Sequence, residues 1–188
     1  MDKTHQSAIV LSPPKASWAP IQAVREQYDR NVRRWMPHVT LVYPFRPQDR
    51  FDEVAEAFGE ACRAVAPFEV TLGHFRFFQH GRRGFTMWLA PEPAEAVGVL
   101  QEALWQVVPD CDEARKHKNG FTPHLSVGQA RKREELDAVI DTLQGQWTPL
   151  TFEAACVDLI WRNDPPDDVF QVGYSVALGT GDVQRVTM

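Results

Sequence analysis

The 188-residue sequence predicts an α+β fold with antiparallel strand pairing, and three observations lead there. Segments with apolar residues at helical spacing alternate with strand-like segments, yet strands also come in adjacent pairs, at 68–77 with 85–90 and near 151–161 with 169–178. A doubly wound parallel sheet would put a helix between every two strands. Two short segments repeat the same residue classes 86 positions apart, which suggests a duplicated half and a pseudo-twofold axis. With 44% hydrophobic residues and no linker long enough to divide it, the chain reads as one domain over 1–188.

The elements follow in order. Residues 8–11 form a short apolar strand stopped by Pro13-Pro14. Residues 20–34 read as a helix, with Ile21, Val24, Tyr28 and Val32 on one stripe and Pro20 near its first turn. A strand over 38–42 ends at Pro44, and 52–65 is helical with Val54, Ala57, Phe58 and Ala61 inward. The strand pair 68–77 and 85–90 is joined by the turn His80-Gly81-Arg82-Arg83-Gly84. A helix over 93–107 buries Val97, Leu100, Leu104 and Val107. A basic loop over 110–120 leads into a strand beginning at His124, and 133–143 is a short helix. Strands near 151–161 and 169–178 close the chain.

The repeated segments carry the chemistry. Pro37-His38-Val39-Thr40-Leu41-Val42 is matched by Pro123-His124-Leu125-Ser126-Val127-Gly128. On a strand, residues i and i+2 share a face. Each segment therefore offers an imidazole and a hydroxyl on one side and turns Val39 and Leu41, or Leu125 and Val127, to a core. The bare pattern His-x-Ser/Thr is weak: with six histidines and 15 Ser or Thr in 188 residues, about half a chance match is expected. His5-Gln6-Ser7 fits it too, without the proline or the apolar middle residue. Five consecutive matched classes are a far stronger signal. Facing one cleft, His38, Thr40, His124 and Ser126 make an acid–base pair with two hydroxyls to hold an anion, which is equipment for phosphoryl chemistry without a metal or cofactor.

Bulk properties set the surroundings. The formal net charge of −5 gives no global attraction for nucleic acid, but 114–133 contains no acidic residue and brackets the second motif with Arg115, Lys116, Lys118, Arg131, Lys132 and Arg133. Arg30, Arg33, Arg34 and Arg46 bracket the first. A local positive field suits an anionic substrate, although charge runs are more often solvated faces. Three cysteines without paired spacing argue against a disulfide scaffold or a zinc site. No signal-like or membrane-spanning run is present, so a cytoplasmic location without membrane attachment is expected, and a monomer.

With these motifs about 85 residues apart in a chain of this length, the sequence resembles the two-histidine (2H) phosphoesterase superfamily. Within it, the similarity is to the proteins named 2'-5' RNA ligases or RNA 2',3'-cyclic phosphodiesterases. The resemblance covers most of the chain. It implies two similar lobes, each a small antiparallel sheet backed by helices, with both histidines in the cleft between them. It also implies opening of 2',3'-cyclic phosphates at RNA 3' ends or on small nucleotides to 2'-phosphates, with 2'-5' ligation as the slow reverse. Some members carry an arginine just after the second motif, where this chain has Gln129, with Arg131 two residues on. Arg131, Arg162, Trp35 and Arg82 are the candidate substrate-binding residues, Trp35 as a base-stacking ring and Arg162 as a phosphate ligand. His74 reads as structural, and His80 and His117 as exposed. A binding module with little turnover is the alternative reading, and a metal-dependent hydrolase ranks below both because neither motif holds an acidic partner.

Overall fold

In a computed structural model, residues 2–81, 84–116 and 120–186 are described. Among the described residues four α-helices and nine strands combine in the α+β pattern that the sequence predicts, and all nine strands join one antiparallel sheet in the order β6-β3-β4-β5-β2-β1-β7-β8-β9. The strands are β1 (Ser7–Leu11), β2 (Val39–Val42), β3 (Phe68–Gln79), β4 (Phe85–Glu92), β5 (Leu125–Ala130), β6 (Leu150–Ala154), β7 (Cys156–Trp161), β8 (Gln171–Ala177) and β9 (Val183–Arg185). The helices are α1 (Trp18–Tyr28), α2 (Phe51–Arg63), α3 (Ala94–Val107) and α4 (Arg133–Gln146). No helix among the described residues is long and apolar enough to cross a membrane.

The sheet is two half-sheets meeting at a narrow seam. β4 and β5, joined through α3, pair antiparallel, as do β1 and β2, joined through α1. Between the halves, β2 meets β5 at one residue pair, Val39 with Leu125. All four helices contribute to one core on one face, where Ile21, Phe58, Leu100 and Leu136 meet Leu41, Leu72, Met87, Val127 and Leu159. Among the described residues, the separate apolar cluster of Ala8, Val10, Ile160 and Phe170 includes no residue of the four α-helices.

Three expectations change. The first helix stops at Tyr28, six residues short of 34. The Asp29 side chain accepts the Asn31 backbone N–H at 2.9 Å and the buried Arg25 guanidinium at 2.9 Å, so the chain leaves the helix into turns. The stretch 151–161 is two strands, not one. β6 pairs with β3 and β7 with β1 on the opposite half, the break falling at Ala155. The short β9, absent from the sequence reading, pairs with β8.

Close packing explains one glycine. A Cβ on Gly128 of β5 would stand 2.5 Å from Tyr28 Cβ, 3.0 Å from the Tyr28 carbonyl oxygen and 2.8 Å from Met87 Cε. The end of α1 can lie on β5 only because nothing projects there.

Candidate active site

The site is built on the seam. The antiparallel pair Val39–Leu125 sets His38 opposite Ser126 and Thr40 opposite His124. Val39 and Leu125 are fully buried under the helices, so the four polar residues share the open face. Their Cα atoms form a quadrilateral of about 5 by 7 Å, a size suited to one phosphate.

Both imidazoles are anchored alike. His38 Nδ1 lies 2.6 Å from the Met36 carbonyl oxygen and His124 Nδ1 lies 2.8 Å from that of Thr122. A carbonyl only accepts, so each Nδ1 carries and donates a proton and Nε2 is the nitrogen left for proton transfer. Each bond reaches two residues back, so the sequence repeat extends to the anchoring. Thr40 Oγ1 donates to His38 Nε2 at 3.1 Å. Burial pushes the His38 imidazole down to about 4; the charges of Arg25 and His124 act the same way, against the Met36 carbonyl and Asp29. His38 is neutral at pH 7.

Aromatic rings wall the quadrilateral. Trp35 stacks on His38, with centroids 4.7 Å and planes 17° apart, and also on Phe170 at 3.7 Å. Phe78 and Trp88 meet His124 edge-on at 4.9 and 6.0 Å and stack on each other at 4.8 Å. The buried Asp168 fixes the Phe170 segment: Arg33 and Arg34 both donate to its carboxylate, Arg34 Nε at 2.7 Å, and the Phe170 N–H donates to the Arg34 carbonyl at 2.9 Å. Those two guanidinium groups hold the Asp168 carboxyl below the usual carboxylate range.

The structure brings His38, Thr40, His124 and Ser126 together and puts Trp35 against the first of them. Arg162 has its guanidinium 5.6 Å from the Phe170 ring centroid and donates to the Asn163 carbonyl oxygen, and no contact joins it to His38 among the described residues. Arg131 is exposed beyond the end of β5, roughly 15 Å along the strand from Ser126. Arg82 falls outside the described residues. Gln129 donates to Asp29 Oδ1 at 3.1 Å and accepts the Arg30 N–H at 3.2 Å, which ties its amide to the end of α1.

The expected basic field is largely neutralised. Arg46 pairs with Asp110, Arg115 with Glu102, Lys116 with Asp112 and Arg133 with Asp137, besides the two arginines on Asp168. As large aromatics, Phe78 and Trp88 belong to the core by default, with a base-stacking place at the cleft mouth open to one or two such rings. Yet 78 shares its strand parity with 76 and 74, opposite the buried Phe75, and that alternation was the available signal. Among the described residues no group of three His, Cys, Asp or Glu side chains is placed to hold a metal ion.

Comparison with known proteins agrees with this fold. The sequence model of the 2'-5' RNA ligase superfamily matches residues 13–166. A Geobacillus kaustophilus protein, provisionally named a phosphoesterase, is 25% identical over 122 residues, covering 64% of this chain and 67% of its own length. The crystal structure of TT0787 of Thermus thermophilus has a TM-score of 0.61 at 18% identity, over 92% of this chain and 97% of that one. The crystal structure of E. coli LigT complexed with 3'-AMP has a TM-score of 0.63 at 13% identity, over 93% and 98% of the two chains. At such identities the structural likeness is one of fold.

Proposed function

Because this chain belongs to the 2'-5' RNA ligase superfamily, we propose that it is a phosphodiesterase that opens 2',3'-cyclic phosphates on RNA 3' ends or small nucleotides, leaving a 2'-phosphate. The quadrilateral of His38, Thr40, His124 and Ser126 carries this reading, because it supplies every group that the reaction needs. Crystallisation of the fold neighbour LigT with 3'-AMP supports a nucleotide-sized ligand here.

His38, neutral and with its lone pair on Nε2, is the base: it takes a proton from water as the oxygen attacks phosphorus. The bond from phosphorus to the ribose 3'-oxygen breaks, and His124, protonated, donates its Nε2 proton to that oxygen. The net change is one water consumed and one ester bond opened. With substrate bound, the Thr40 hydroxyl turns from His38 Nε2 to a non-bridging oxygen, which frees the lone pair, and Ser126 donates to another, where charge builds up. No metal or cofactor takes part in these steps. With a 5'-hydroxyl in place of water as the attacking oxygen, the same proton transfers form a 2'-5' phosphodiester as the bond to the 3'-oxygen breaks, which is 2'-5' ligation. The chain acts in this reading as a cytoplasmic monomer.

The test is hydrolysis of a 2',3'-cyclic nucleotide in EDTA by the intact protein beside His38→Ala and His124→Ala. Loss of several orders of magnitude in both variants, with a 2'-phosphate product, is expected. Retained turnover in both single variants overturns the assignment. One observation favours a binding module with little turnover: Gln129, where some relatives carry arginine, is bound to Asp29 and Arg30. Binding of phosphorylated ends without ring opening is what that reading predicts.

A further inference from the structure

We propose that Arg76 is a second anion subsite, for the phosphate of the nucleotide preceding the reacting end, so that the preferred substrate is an oligoribonucleotide end and not a mononucleotide. The inference rests on the reading of the site given above.

Among the described residues, one flank of the open face is covered. Beyond Thr40, the β1–β7 side is covered by a small apolar cluster, Ala8, Val10, Ile160 and Phe170, with Trp35 and Tyr43 packed on it. A chain that extends across the strands from a phosphate held by the two histidines therefore runs over β4 and β3, away from that cluster. Strand register puts Arg76 on that route. Arg76 pairs with Trp88 and Trp88 with Ser126, so Arg76, Trp88, Ser126 and His38 form one row on one face.

Distance and charge select the ligand. Two strand spacings, about 10 Å, separate the Arg76 and Ser126 Cα atoms. An arginine side chain crosses about half of the gap to the quadrilateral, which leaves its guanidinium short of the reacting phosphate by about one backbone phosphate spacing. Between them lies Trp88, only 7% exposed, with Phe78 stacked against it as an apolar floor; Asp137 and Asp141 of α4 line the cavity beside Arg76, Asp137 already paired with Arg133. Arg76 is exposed, and no ion pair or hydrogen bond engages its side chain among the described residues, whereas Arg33, Arg34, Arg46, Arg115 and Arg133 each meet a carboxylate. His74, exposed two residues earlier on the same face, adds a second donor.

The test compares binding of uridine 2'-phosphate with that of a uridine dinucleotide ending in a 2'-phosphate, for the intact protein, Arg76→Ala and Arg76→Lys, at two salt concentrations. The intact protein is expected to bind the dinucleotide at least tenfold more tightly. Arg76→Ala should lose most of that preference while binding the mononucleotide within twofold, and the salt dependence for the dinucleotide should fall by about one phosphate contact. Arg76→Lys, retaining charge, should fall between them. No length preference in the intact protein, or equal weakening of both ligands by Arg76→Ala, overturns the inference. Cyclic-phosphate turnover is measured in parallel. Its absence alongside an Arg76-dependent length preference would overturn the phosphodiesterase reading and leave the subsite standing.

Discussion

Trp35 lies flat on His38, 4.7 Å between ring centroids, and Phe170 stacks on the same indole. An imidazole covered by an apolar ring loses hydration that its cation would need more than its neutral form does. Arg33, Arg34 and Asp168 hold the Phe170 segment in place, so a carboxylate without contact to the imidazole helps to set its protonation.

Trp35→Leu tests that coupling. With the ring gone, the His38 pKa should rise from about 4 by at least one unit towards its ordinary value, and the acid limb of kcat/KM should move up with it. Titration of the His38 ring protons by NMR measures the shift without requiring turnover. An unchanged pKa would show that the indole is not what desolvates the imidazole.

The same depressed pKa makes stability depend on pH. Above pH 6.5 His38 is neutral folded and unfolded, so it contributes no slope. Between 6.5 and about 4 the unfolded chain takes up a proton that the folded chain refuses, and stability falls as pH drops. By pH 4.5 the loss from this one group should reach about 2–3 kcal/mol. Urea unfolding at pH 7 and 4.5 on the intact protein and His38→Gln isolates it. Equal acid losses in the two proteins would contradict the assignment.

Gly128→Ala addresses the approach of α1 to β5. The added methyl meets Tyr28 Cβ at 2.5 Å and the Tyr28 carbonyl oxygen at 3.0 Å, neither at the end of a flexible chain. The helix end must shift, at about 1–3 kcal/mol. A lower thermal midpoint is expected, and an unchanged one would mean that α1 moves freely at its end.

Much of this was legible beforehand because it is local. Alternation placed His38 and Thr40, and His124 and Ser126, on one face of their strands, and the structure adds only that the two strands are neighbours. What was not legible depends on partners far along the chain. Arg33 and Arg34 looked like a field for an anion, but Asp168, more than 130 residues away, takes both. Helical spacing continued through Val32, and nothing in the pattern weighed it against the bonds Asp29 makes to Arg25, Asn31 and Gln129. Ala155 separates two strands without a glycine or proline to mark it, because the break is set by which half-sheet each strand joins. Arg76 has the right parity in sequence, yet which face stays open is decided by the helices.

The single pair Val39–Leu125 also bears on how the molecule acquires its chemistry. Each half-sheet is built from pairings of its own, but neither contains a reaction centre: one holds His38 and the other His124, 86 residues away. The half that holds His38 itself closes a longer loop, Ser7 of β1 pairing with Trp161 of β7, so neither histidine is placed by local contacts alone. The centre therefore comes into being only when the two halves dock, and a chain with one half unfolded carries two separate histidines and no catalyst. Regain of turnover during refolding would time the docking of the halves, not the formation of either sheet.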